Sequence, residues 1–118
     1  MVSKLEKQLI TKQELEELVK ISKSTNLKYV VNSKEELRTI IKYIMSNLKV
    51  LTSDLNWIDT SRITDMSYLF MELYFNGDIS EWDVSNVENM YNMFAGSNFN
   101  GDISEWDVSN VKDMRYMF

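Results

Sequence analysis

The chain has 118 residues, with 13 Lys and Arg against 18 Asp and Glu, for a formal net charge of −5; this length suits one domain that buries roughly two-thirds of its unfolded surface. It has no Cys and no His, which excludes disulfides, thiolate nucleophiles, Ser-His-Asp and Cys-His triads and zinc sites built on those side chains. No stretch approaches the roughly 18 to 20 consecutive apolar residues of a membrane-spanning helix, and Met1 to Glu6 lack the apolar core of a secretory leader.

In chain order, Leu5, Leu9 and Ile10 are expected to dock the N-terminal segment. Thr11-Lys12-Gln13-Glu14 has the form of a capping box. Leu15, Leu18 and Val19 follow it, which predicts a helix over about 12–23. Leu27-Lys28-Tyr29-Val30-Val31 lies between Asn26 and Asn32 and reads as a short strand. A second capping box, Ser33-Lys34-Glu35-Glu36, opens a helix over about 34–47, with Leu37, Ile40, Ile41, Ile44, Met45 and Leu48 on one stripe.

The remainder is repetitive. Residues 75–94 and 99–118 are identical at 16 of 20 aligned positions, at a period of 24. Residues 51–70 follow the same register more loosely, with Leu51, Leu55, Ile58, Ile63 and Leu69 at core-type positions. In each unit, Trp82 and Val84 alternating with Asp83 predict a short strand. Ser85-Asn86-Val87-Glu88, followed by Met90, Met93 and Phe94, predicts a short helix. Asn100-Gly101 marks a turn. A fixed period of this length predicts stacked units that bury one another's apolar side. The pattern Ile79-x-x-Trp82-x-Val84-x-x-Val87 resembles the leucine-rich-repeat skeleton, and the expected fold is α/β: an N-terminal helical cap over 1–50, then a right-handed, leucine-rich-repeat-like solenoid of strand-helix units over 51–118, divided as 51–74, 75–98 and 99–118.

The run Phe-Asn-Gly-Asp-Ile-Ser-Glu-Trp-Asp-Val-Ser-Asn-Val-x-x-Met-x-x-Met-Phe resembles a bacterial surface-protein repeat of about 25 residues. That repeat is often found in lipoproteins and is treated as a domain of unknown function related to leucine-rich repeats. The resemblance covers residues 51–118. It implies a repeat fold and no shared activity or catalytic residues. The chain departs from the usual surface protein in lacking a leader, a lipidation Cys and a long array. The expectation is cytoplasmic, with surface location reserved for a fragment of a longer secreted protein.

Charge divides along the same boundary. Residues 1–50 carry ten cations and six carboxylates; residues 51–118 carry three cations and twelve carboxylates. Two ladders of carboxylates are expected, Asp54/Asp78/Asp102 and Asp59/Asp83/Asp107, with equivalent residues about 4.8 Å apart. Their side chains can accept hydrogen bonds from turn amides or face a basic partner. Calcium, which needs six to eight oxygen ligands, is a third reading, although no EF-hand loop occurs.

No catalytic constellation, metal site or cofactor motif stands out, and the methionines have core spacing. The expected function is non-enzymatic protein binding through an acidic repeat surface. Candidate contact residues are Trp57, Asp59, Glu81, Asp83, Glu105 and Asp107, with Tyr91, Arg115 and Tyr116 as residue types favoured in hot spots. The partner would be another protein with a basic surface, with no direct nucleic acid and no membrane. Met114, Met117 and Phe118 are core-type residues in the last unit and are candidates for self-association into a homo-oligomer. Two alternatives are a small phage-type inhibitor, such as an anti-CRISPR protein, that blocks a basic surface of a nucleic-acid enzyme, and a structural fragment of an adhesin-like array.

Overall fold

The computed structural model describes residues 12–25, 27–48 and 54–118. The expected cap at Thr11, the docking residues Leu5, Leu9 and Ile10, Asn26 and Leu51 lie outside the described residues, as do the side chains of Leu15, Leu18 and Val19. Helix α1 is Lys12–Thr25, strand β1 is Tyr29–Val30, helix α2 is Lys34–Tyr43 and strand β2 is Ile58–Asp59. A π-helical turn, Ile44–Leu48, continues α2.

Helix α2 forms where its cap and stripe predict. The Ser33 hydroxyl accepts from the Glu36 amide at 3.1 Å. Glu36 does not complete the reciprocal half of the box; its carboxylate accepts from the Asn32 amide at 3.0 Å instead. Leu37, Ile40, Ile41 and Ile44 bury the apolar stripe.

The expected architecture of a helical cap followed by a solenoid of strand-helix units is overturned. The segment before residue 51 is not purely helical. It supplies β1, which pairs in parallel with β2, Tyr29 opposite Ile58 and Val30 opposite Asp59. Among the described residues these two short strands form the whole sheet, and residues 60–118 contain neither a helix nor a named strand. The result is a small compact domain with one core, running from Leu37 and Ile40 of α2 through Ile58, Met66 and Phe70 to Trp82, Met90 and Phe94.

The reason the expected short helices fail is visible in the amides. Those of Met66, Tyr68, Phe70 and Glu72 donate at 2.8–3.0 Å to the carbonyls of Asn89, Tyr91, Met93 and Ala95, one period away. An α-helix needs every such amide for the carbonyl four residues back. Here only the intervening amides stay local: Leu69, Met71 and Leu73 each donate to the carbonyl three residues earlier. The next copy repeats the arrangement, with Met90, Asn92 and Phe94 donating to Asp113, Arg115 and Met117. The backbone becomes a string of turns with left-handed residues at Tyr68, Glu72, Asn92, Gly96 and Tyr116.

The alternation expected for a strand at 82–84 survives as burial without pairing. Trp82 and Val84 are buried and Asp83 is exposed, but turns at Ser80–Glu81 and Ser85–Asn86 bracket a segment too short for a ladder. Aromatic rings continue the stacking inside. Phe70 and Phe94 lie parallel at 5.4 Å, and Phe94 and Phe118 at 5.5 Å.

Helix α2 is tied to the first copy by polar contacts. Lys34 Nζ donates to Asp65 Oδ2 and Ser67 Oγ, both at 3.0 Å. The Arg38 guanidinium donates to the carbonyls of Tyr68 and Leu69.

Candidate protein-binding surface

The acidic residues sit at corners, and local chemistry puts them there. An Asp side chain that accepts from the amide two residues on closes an Asx turn. Asp54, Asp78 and Asp102 do so with the amides of Asn56, Ser80 and Ser104 at 2.8–2.9 Å. Asp59, Asp83 and Asp107 do so with Ser61, Ser85 and Ser109 at 2.9–3.0 Å. Asp54 and Asp78 also form a parallel bridge one period apart, and the turn-amide reading accounts for one carboxylate oxygen in each of the six residues. In Asp78 and Asp83 the serine hydroxyl adds a second bond, at 2.7 and 2.6 Å.

A third row was not read from the sequence. Asp65, Asn89 and Asp113 accept from the amides of Ser67, Tyr91 and Arg115 at 2.8–3.0 Å. They form parallel bridges one period apart, Asp65 with Asn89 and Asn89 with Asp113. The signal was available: Asp-x-Ser occurs at 59–61, 65–67, 78–80, 83–85, 102–104 and 107–109, and each instance is such a turn.

These bonds favour the charged form. The Ser61 hydroxyl and amide hold Asp59 below the usual carboxylate range, as Ser80 does for Asp78, Ser104 for Asp102 and Ser109 for Asp107. Burial pushes Asp65 up, but Ser67 and Lys34 together outweigh it and the net direction is down. The Arg115 side chain lowers Asp113.

The candidate contact residues do not share one environment. Glu81, Asp83, Glu105 and Asp107 are exposed, and Asp59 is half-buried. No ion pair among the described residues reaches any of these five, or Asp78 or Asp102. Trp57, a candidate anchor at a position equally suited to tucking under the N-terminal helices, is 5% exposed and does not face outward. The β1–β2 pairing brings Tyr29 over it, ring centroids 6.4 Å apart, so an adjacent strand covers the position that Glu81 and Glu105 leave open in later copies.

The aromatic candidates form a separate cluster. Tyr91 is half-buried between Tyr68 and Tyr116, edge to face at 5.5 and 5.8 Å. The Arg115 guanidinium lies 5.4 Å from the Tyr91 ring centre while pairing with Asp113 at 3.0 Å. Tyr116 is exposed. Of the self-association candidates, Met114 and Phe118 are exposed and Met117 is 9% exposed.

The described residues hold no group of three or more Asp or Glu side chains placed to bind a metal ion. A shallow groove lined by Ser61, Arg62, Asn86, Glu88, Asn110 and Lys112 is crossed by the Lys112–Glu88 ion pair at 2.8 Å.

Residues 39–118 match the family described as "Mycoplasma protein of unknown function, DUF285". The chain belongs to this family. The match covers α2 from Thr39 onward and all of the stacked copies. It supports a domain of unknown function, and it does not support the narrower assignment to a leucine-rich-repeat-like repeat of about 25 residues. No curated protein matches and no solved structure matches. Family membership attaches no activity to the carboxylate rows, so a functional reading rests on their geometry.

Proposed function

We propose that the chain is a non-enzymatic protein-binding module whose acidic corners engage a basic protein surface. One observation carries this reading: Asp78, Glu81 and Asp83 recur one period on as Asp102, Glu105 and Asp107, all exposed and none in an ion pair among the described residues. Like charges in register repel. A surface that keeps them gains long-range attraction for cations and faster encounter with a basic partner. The Asx turns hold four of the six side chains before any partner arrives, which lowers the entropy lost on binding.

The test uses charge removal that preserves the turns. Lys at 83 or 107 would delete the acceptor for the Ser85 or Ser109 amide. Asn keeps it, as Asn89 does in the third row. The variant is therefore Glu81→Gln, Asp83→Asn, Glu105→Gln and Asp107→Asn, and the probe is a short lysine-rich peptide followed by NMR. Amide shifts should centre on residues 78–85 and 102–109. At about 0.5 kcal/mol per rim charge, the variant should bind about thirtyfold more weakly. Shifts centred elsewhere, or equal affinity for the variant, overturn the reading.

A further inference from the structure

Tyr68 and Tyr116 sit where the backbone favours another residue. Their shared position is left-handed in all three copies, with φ 63° at Tyr68, 56° at Asn92 and 56° at Tyr116. Asn tolerates that conformation, whereas a bulky ring is strained in it. The second copy carries the fitting residue, and the first and third carry Tyr. Strain that one substitution would relieve points to a use for the ring.

The rings form one ladder. Tyr91 stands between Tyr68 and Tyr116, with centroids 5.5 and 5.8 Å away and planes turned by 67° and 84°. Tyr68 is still 40% exposed, although Arg38 of α2 holds its carbonyl and its amide donates to Tyr91 of the second copy. The three phenol hydroxyls have no hydrogen-bond partner among the described residues.

Geometry selects the ligand. Rings set nearly at right angles leave notches between them and no flat platform for a sugar ring. Tyr68 and Tyr116 are two copies apart, about 9.6 Å at the spacing of adjacent strands. A polyproline II helix repeats every three residues, about 9.3 Å, so prolines three apart can meet both rings in turn. Its backbone carbonyls are unsatisfied and can accept from the phenol hydroxyls. Aromatic-lined notches are a general means of holding such a preformed helix.

Charge narrows the partner. Lys34 and Arg115 are neutralised by Asp65 and Asp113. The Arg38 guanidinium bonds to the carbonyls of Tyr68 and Leu69 and pairs with no carboxylate among the described residues. It is the unpaired cation at Tyr68, and it complements an anion.

We infer that the Tyr68–Tyr91–Tyr116 ladder docks a proline-rich segment of a partner protein in the polyproline II conformation, with a carboxylate beside the prolines seated on Arg38. This surface uses none of the acidic corner residues and takes a ligand of the opposite charge.

The test is an NMR titration of the isotope-labelled full chain with a proline-rich peptide ending in two aspartates. Shifts should centre on Arg38, Tyr68, Tyr91 and Tyr116. The same peptide with glycine in place of proline lacks the preformed helix and should bind about tenfold more weakly. Lysines in place of the aspartates should also weaken binding. Tyr68→Asn installs the second copy's residue, so it should keep the circular dichroism spectrum and lose affinity about tenfold. Tyr68→Phe, which keeps the ring, should lose less. Equal affinity for the glycine peptide, undiminished binding by Tyr68→Asn, or shifts centred on residues 78–85 and 102–109 overturn the inference. So do ladder shifts with a glucan oligomer and none with the proline-rich peptide. Each of these outcomes leaves the lysine-rich peptide test of the acidic corners standing, so the two readings fail separately.

Discussion

The indole N–H of Trp82 donates to the backbone carbonyl of Leu55 at 2.9 Å, in the buried interior where the second copy meets the first. Trp106 does the same to Ile79 at 3.1 Å, one period on. Each tryptophan thus fills core volume and bonds to the preceding copy, which is how a buried indole usually satisfies its polar atom.

Trp82→Phe keeps most of that volume and deletes the bond. The Leu55 carbonyl retains the Ile58 amide at 3.1 Å, so the loss should be about 1–2 kcal/mol and not a full desolvation penalty. Thermal unfolding should show a fall of about 4–8 °C. Trp106→Phe should cost less, because the outer copy is more open to water. Equal losses at the two sites would argue against the indole bond as the cause.

Left-handed backbone supplies a pair of opposite outcomes. Glu72 has φ 60° and its counterpart Gly96 has φ 69°. A side chain costs about 1–2 kcal/mol in that region, and part of this is returned when Gly loosens the unfolded chain. Glu72→Gly should therefore stabilise by about 0.5–1 kcal/mol in urea unfolding. Gly96→Ala should destabilise by more, because its new Cβ would also stand 3.2 Å from Glu72 Cγ. The double variant should recover part of that loss, since Glu72→Gly removes the clash; simple additivity would sink this account.

The start of α2 should respond at Ser33 and Glu36 separately. Ser33→Ala removes the acceptor for the Glu36 amide and should cost about 1 kcal/mol. Glu36 is 1% exposed and its carboxylate serves the Asn32 amide. Glu36→Ala should cost more than Ser33→Ala, because it also leaves a buried gap and an unserved amide. The order of the two urea midpoints checks the assignment.

Acid should weaken the fold through the Asx rows. Asp59, Asp65, Asp78, Asp102, Asp107 and Asp113 all have folded pKa values lowered, by the serine bonds at Asp59, Asp78, Asp102 and Asp107, by Ser67 and Lys34 at Asp65, and by Arg115 at Asp113. A carboxyl of this kind contributes stability that is complete above its unfolded value of about 3.9 and is lost as pH falls through the folded value. The urea midpoint should hold from pH 7 to about pH 5 and then decline. Asp59→Asn with Asp78→Asn, which retains both turn acceptors, should flatten the decline. A midpoint that rises on acidification would mean that repulsion among the acidic rows outweighs their turn bonds.

Much of this structure is written locally. Helix α2 follows from Ser33 and the stripe through Leu37, Ile40, Ile41 and Ile44, because an N-cap and an apolar face are properties of adjacent residues. The same holds for strand β1 at Tyr29–Val30 and for the corners at Asp78 and Asp83, where an Asp accepts from an amide only two residues away. The missed row at Asp65, Asn89 and Asp113 obeys the same rule. The helical spacing of Val87, Met90 and Met93 conceals it, because that spacing predicts a helix across Asn89.

The period of 24, the inward residues Ile79, Trp82 and Val84, the acidic corners and the start of α2 can all be read from the chain, since each depends on residues close together in it. Long-range contacts keep residues 87–94 from being a helix, because alternate amides there donate to carbonyls of the next copy and not within their own turn. Such contacts also set what covers Trp57, which is Tyr29 of strand β1, nearly thirty residues upstream, and not a helix. Phe94 is buried for the same reason, between Phe70 of the copy before it and Met117 of the copy after it.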